Sequence, residues 1–224
     1  MIRLWIVLAL VAILITGLIT IVLEIKDYVG KSDFLIEFRN KYSELCKGLT
    51  SSYNGIMASV NKLDNKVYTW LTSHVNKAQR LMGIHGVLGS YIPPFGKVQI
   101  RNYEILINTL PQFRNGKLHP HDISGMDDAL IRGIGHYEEL IELLKKDLKN
   151  PFKWLQYGVR FYISLPLRIL QWFGILPESS FYFLTHNFIF KLFAGVASLI
   201  GVIASIVGLV TDSVPFLEIV KKWI

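Results

Sequence analysis

The chain has 224 residues, 51% of them hydrophobic, with a mean hydropathy of +0.37 and a formal net charge of +7 at pH 7. That length holds one modest domain plus membrane segments, and that apolarity excludes an ordinary soluble protein. The lone cysteine, Cys46, excludes an intramolecular disulfide framework and a cysteine-rich zinc site.

The first element is Leu4–Leu23, LWIVLALVAILITGLITIVL, a run without a single charge. As a helix it covers roughly 30 Å, the hydrocarbon thickness of a bilayer. It has no polar stripe at the helical period, as a soluble core helix of that length would. No Ala-x-Ala site follows, since the run ends in Glu24-Ile25-Lys26-Asp27. Residues 1–25 therefore read as an uncleaved transmembrane signal-anchor.

Residues 26–150 read as an α-helical soluble domain. Ser32 or Asp33 can cap a helix over Phe34–Lys47, with Phe34, Phe38, Tyr42 and Leu45 on one face. Tyr53, Ile56, Val60, Leu63, Val67 and Leu71 predict a longer amphipathic helix from near Ser51/Ser52 to Met82. Gly83, Gly86 and Gly89 break it, and Tyr91-Ile92-Pro93-Pro94-Phe95 forces an extended turn. Ile100, Tyr103, Ile107 and Leu110 predict a helix up to Pro111, and Pro111–Gly125 carries loop chemistry throughout. Ser124 with Asp127 opens the next helix in capping-box style, and it runs to about Lys149 before Asn150-Pro151 stops it. No run alternates with period two for long enough to predict a sheet.

Residues 151–187 are the aromatic-rich part of the chain, with cations interleaved. They read as an amphipathic interfacial or re-entrant segment, a helix pair kinked at Pro166. Lys153, Trp154, Arg160, Arg168 and Trp172 would lie in the headgroup layer. The competing reading makes Phe161–Leu176 a further short span. Residues 188–212 contain a second full span, Leu192–Val210. Its Ala194, Ser198, Gly201, Ser205 and Gly208 form a small-residue face of the kind that lets membrane helices approach closely. Ala9, Ala12, Thr16 and Thr20 offer a weaker counterpart in the first span. Residues 213–224 form a tail that Lys221, Lys222 and Trp223 would anchor at the interface.

The sequence thus predicts an all-α membrane protein. Two transmembrane helices flank a helical bundle, with an interfacial aromatic helix pair before the second span. Two spans place both termini on one side. Lys26, Lys31, Arg39 and Lys41 after the first span favour a cytoplasmic central domain in a multi-pass cell-membrane protein, while Lys221 and Lys222 argue the other way.

Candidate chemistry is sparse. Arg80 and His85 form an Arg-x4-His pair that resembles the core motif of HEPN ribonucleases. The resemblance covers six residues and implies His85 as general acid or base, with Arg80 stabilising the phosphate. The polar residue usual after that arginine is Leu81 here, and the bland reading is a helix-end arginine and a loop histidine. His119, His121 and Asp122 have side chains that suit Zn²⁺, but nothing nearby in sequence completes four ligands, and a solvated loop explains them better. His136 and Glu139 share a helical face without a second histidine turn. No phosphate-binding glycine loop, nucleophile elbow or dinucleotide fingerprint occurs, so no cofactor and no enzyme activity are expected.

The leading expectation is a membrane-anchored, self-associating helical interaction or scaffold protein acting at the bilayer surface. Its partners would be the lipid bilayer, copies of itself and a further protein. The basic aromatic stretch suits lipid headgroups at least as well as nucleic acid. The alternatives are an oligomeric pore-forming or membrane-perturbing effector of defence or toxin type, and a membrane-tethered HEPN-like nuclease.

Overall fold

The computed structural model describes residues 2–51, 58–60, 63–93, 98–115, 118–177, 180, 183, 187 and 195–196. The described chain is mostly helical, with five helices and two short antiparallel hairpins. It divides into two compact units, one of Lys26–Glu142 and the other of Met1–Ile25 with Leu143–Ile224.

Helix α1 runs unbroken over Ile2–Cys46. The separate helix predicted to start at Ser32 or Asp33 is its continuation. No proline interrupts the joining residues, and within them Lys31 bonds Asp27 one turn back at 2.6 Å. Ser32, at the expected cap, is buried. Among the described residues, α1 is the one helix long and apolar enough to cross a membrane. The second predicted span and the tail lie outside the described residues, apart from the helical Gly195 and Val196.

In the unit Lys26–Glu142, α1 contributes Leu35, Phe38, Tyr42 and Leu45 to a hydrophobic core. Next come strands β1 (Leu49–Ser51) and β2 (Ala58–Val60), paired Leu49↔Val60 and Ser51↔Ala58. A helix was expected over this stretch. It begins only at Asn65, because the Asp64 carboxylate accepts from the Lys66 and Val67 amides at 2.9 and 3.2 Å and caps the helix there. Helix α2 (Asn65–Met82) buries Val67, Leu71, Val75, Ala78 and Met82, the stripe its spacing predicts, and Gln79 beside them. It stops at Gly83, whose φ of +51° disfavours any side chain, and a 3-10 turn, Gly83–Gly86, follows.

Strands β3 (Val87–Tyr91) and β4 (Ile100–Glu104) then pair with Val87 opposite Glu104 and Tyr91 opposite Ile100. This hairpin corrects both the expectation of no strands and the helix assigned from Ile100. Helix α3 (Ile105–Asn115) starts five residues later and passes through Pro111 instead of ending there. Pro111 forfeits one backbone bond, yet Leu110 and Phe113 on either side are fully buried and hold the turn together.

Helix α4 (Pro120–Asp147) begins earlier than the Ser124 box. Pro120 suits the first helical position, and His119 serves as the cap: its Nδ1 accepts from the His121 amide at 3.2 Å. Ser124 lies inside the helix and donates to the His121 carbonyl. The predicted loop Pro111–Gly125 is therefore helical over most of its length.

Three polar side chains tie this unit together. Tyr42 donates to the Ile123 carbonyl at 2.9 Å and stands edge-on to Phe113. Tyr137 donates to the Leu81 carbonyl at 2.7 Å. Gln79 donates to the Gly86 carbonyl at 2.8 Å and accepts from the Leu106 amide at 3.2 Å, completing the start of α3 from across the core. Arg39 and Asp127 add a two-pronged ion pair at 2.7 and 3.0 Å between α1 and α4.

In the other unit, Asn150 caps helix α5 (Pro151–Trp172) by accepting from the Phe152 amide at 3.0 Å. Helix α5 continues through Pro166, so the predicted kinked pair is a single helix as far as Trp172. It lies against the apolar part of α1 where two glycines meet. A Cβ on Gly17 would overlap the Trp154 carbonyl, and one on Gly158 would overlap the Ile13 carbonyl. Rising numbers on α5 meet falling numbers on α1, so the two run antiparallel. Thr16 Oγ1 and the Tyr162 hydroxyl share a hydrogen bond of 3.2 Å across the seam.

Candidate functional site

Residues predicted from adjacency in sequence acquire their neighbours from far along the chain. His119, His121 and Asp122, at the start of α4, face strand β3 and the first turn of α3. Between these elements lies a cavity of about 450 Å³, a volume typical of small-molecule sites. Leu88 and Ile92 form one wall, Ile105 another, and Asp122, Gly125, Asp128 and Arg132 form the third along one face of α4.

Asp122 is the buried charge of this cavity, 4% exposed. It stands in the first turn of α4, where the helix dipole favours a carboxylate. Both of its oxygens lie 2.9 Å from the Tyr91 hydroxyl, which has one proton to give. Tyr91 is itself fixed by a stacked ring contact with Tyr103, centroids 3.9 Å apart. Burial, then the hydrogen bond to Asp122, push the Tyr91 phenol well above its ordinary range, and burial also raises Tyr103. Tyr91 therefore acts as a donor at neutral pH. Gly125 keeps the cavity open, because a Cβ there would come within 3.2 Å of Ile105 Cδ1.

No group of three or more His, Cys, Asp or Glu side chains among the described residues is placed to hold a metal ion. The three candidates at the start of α4 line a cavity, with His119 engaged as a cap.

Arg80 and His85 fall on different elements. Arg80 is exposed in the last turn of α2, and His85 sits in the 3-10 turn with its ring 5.0 Å from that of His136 on α4. Cys46 ends α1 half-buried, and burial is the main cause of its thiol being pushed up to about 11.

The predicted interface residues of α5 have specific partners. Lys153 lies 3.9 Å from Asp147, and Trp154 donates its indole N–H to the Leu148 carbonyl at 2.9 Å. Arg168 donates to Ser164 at 3.2 Å and covers the Phe161 ring at 4.9 Å. Trp172 is 80% exposed. Lys221, Lys222, Trp223 and the stripe Ala194, Ser198, Gly201, Ser205 and Gly208 lie outside the described residues. Sequence reasoning missed the pair Gly17 and Gly158. Their signal was a glycine inside an otherwise unbroken apolar or aromatic helix.

Fold and sites together define a mostly helical protein with one helix long and apolar enough to cross a membrane, and a cavity built on the N-terminal half of α4. No protein-family model matches the chain, and no curated protein or solved structure matches it.

Proposed function

We propose that this chain is a membrane-anchored, self-associating helical interaction protein that acts at the bilayer surface. One observation carries the reading. Val7, Leu8, Val11, Ile15, Ile19, Val22 and Leu23 of α1 are exposed, an apolar surface that water does not tolerate and lipid covers without cost. The unit Lys26–Glu142 is then the part that meets a partner, on the cytoplasmic side of a two-span topology. Self-association runs through the small-residue stripe of the second span. Alkaline carbonate extraction of membranes tests the anchor, and release of the protein into the supernatant refutes it. Replacing Gly201 and Ser205 with Leu tests assembly, and an unchanged oligomeric state in detergent refutes self-association. Asn115→Cys, exposed at the end of α3, reports the side on intact cells through an impermeant maleimide.

A second reading, a membrane-perturbing oligomer, is favoured by Arg168. It sits on a helix that packs along the apolar part of α1, and arginines among membrane helices are usually functional. Loss of membrane potential on expression, followed with a potential-sensitive dye, distinguishes it from the interaction protein.

A further inference from the structure

We propose that the cavity between β3, α3 and α4 binds a small organic cation: a primary amine on a compact apolar body. This stands independently of the membrane-anchored reading above.

Size comes first. About 450 Å³ suits a small molecule, and Leu88, Ile92 and Ile105 supply apolar walls for its body. Charge comes next. The deepest ionisable group is Asp122, 4% exposed. A carboxylate takes up to about four hydrogen bonds, and among the described residues the one side-chain donor to Asp122 is the Tyr91 hydroxyl, shared between its two oxygens. A buried carboxylate with acceptor capacity left over calls for a cationic donor, and an ammonium brings three N–H groups to it.

The other polar side chains of the wall are Ser90, Tyr91, His119, His121, Asp128 and Arg132. Asp128, an exposed residue, lines the same face of α4 and adds a second negative charge. Arg132 is the one lysine or arginine that lines the cavity, about 15 Å along the helix from Asp122 at 1.5 Å per residue. It is exposed, so water weakens its influence on a ligand held at Asp122. With Asp122 buried and Arg132 exposed and well along the helix from it, the site favours a cation over an anion of the same shape beside the carboxylate.

Three matched probes test this with the full-length protein in detergent: isopentylamine, isopentanol and isovalerate, each titrated by calorimetry against an empty-micelle blank. Isopentylamine is expected to saturate the protein at least about tenfold more tightly than isopentanol, with isovalerate weakest. Asp122→Asn is expected to remove the preference for amine over alcohol. If that variant does not fold, Asp128→Asn, a change at an exposed position, is expected to lower amine affinity about threefold and leave alcohol binding alone. Equal binding of amine and alcohol would reduce the site to an apolar void and overturn the proposal. So would tighter binding of isovalerate, or no saturation by isopentylamine up to about 50 mM.

Discussion

Two glycine-to-alanine substitutions within helices should move stability in opposite directions. Gly30 lies in α1 with nothing within 4 Å of where a Cβ would stand. Alanine there gains the usual helix preference over glycine, about 1 kcal/mol. Gly158 lies in α5, where a Cβ would overlap the Ile13 carbonyl oxygen and stand 2.8 Å from Ile13 Cγ2. Most of the obstruction is backbone, which cannot rotate away, so the helices must part by about 1.5 Å to restore ordinary carbon–oxygen contact. Separation on that scale loses packing along the seam and costs about 3 kcal/mol against the same 1 kcal/mol gain. Gly158→Ala is therefore expected to be less stable than the parent by about 2 kcal/mol, and Gly30→Ala more stable by about 1 kcal/mol. Titration with dodecyl sulfate in mixed micelles, followed by the emission of the tryptophans, measures both. A Gly17→Ala, Gly158→Ala double variant should lose less than the sum, since either change alone parts the same helices. If Gly158→Ala proved as stable as Gly30→Ala, the close crossing of α1 and α5 would be wrong.

Gln79→Leu keeps most of the side-chain volume but strands the Leu106 amide and the Gly86 carbonyl in the core. A loss of about 2–4 kcal/mol in chemical denaturation is expected, and a loss under 1 kcal/mol would show that neither bond matters. The Tyr42 phenol is held far above its reference value of 10.0, first by burial, so the native state keeps a proton that the unfolded chain gives up. The contribution of Tyr42 should be complete below pH 10 and fall above it by up to about 1.4 kcal/mol per pH unit, and Tyr42→Phe should remove that part of the alkaline slope. Cys46, its thiol pushed from 9.0 to about 11, should react with maleimide about 100-fold more slowly than an exposed thiol at neutral pH. Its rate should climb tenfold per pH unit toward 11, and labelling at the rate of an exposed thiol would refute the burial of that helix end.

What could be read from the sequence was whatever local chemistry decides. The apolar half of α1, the buried stripe of α2, the stop at Asn150-Pro151 and the glycine break after Met82 each follow from neighbouring residues. Errors arose where local signals tied. The spacing Ile100, Tyr103 suits a strand and a helix equally, and only pairing with Val87–Tyr91 decides it. Ser32 and Asp33 have the chemistry of a helix cap, but the residues before them, with Lys31 bonded to Asp27, are already helical, and no new helix starts there. The cavity was half visible. His119, His121 and Asp122 stand out because they adjoin in sequence, whereas Tyr91, which fixes Asp122, is 31 residues away. Gly17 and Gly158 lie further apart still, and no single-sequence pattern links them.

That last separation has a consequence in time. Translation proceeds at about 5–20 residues per second, and about 140 residues separate the two glycines, so α1 is made roughly 7–28 seconds before the helix that covers it. Throughout that interval the Gly17 side of α1 is a bare, close-fitting groove. Nascent chains on one polyribosome carry identical grooves close together. The speed of elongation, and not only the strength of the finished contact, decides whether each α1 waits for its own α5 or pairs with a neighbour's.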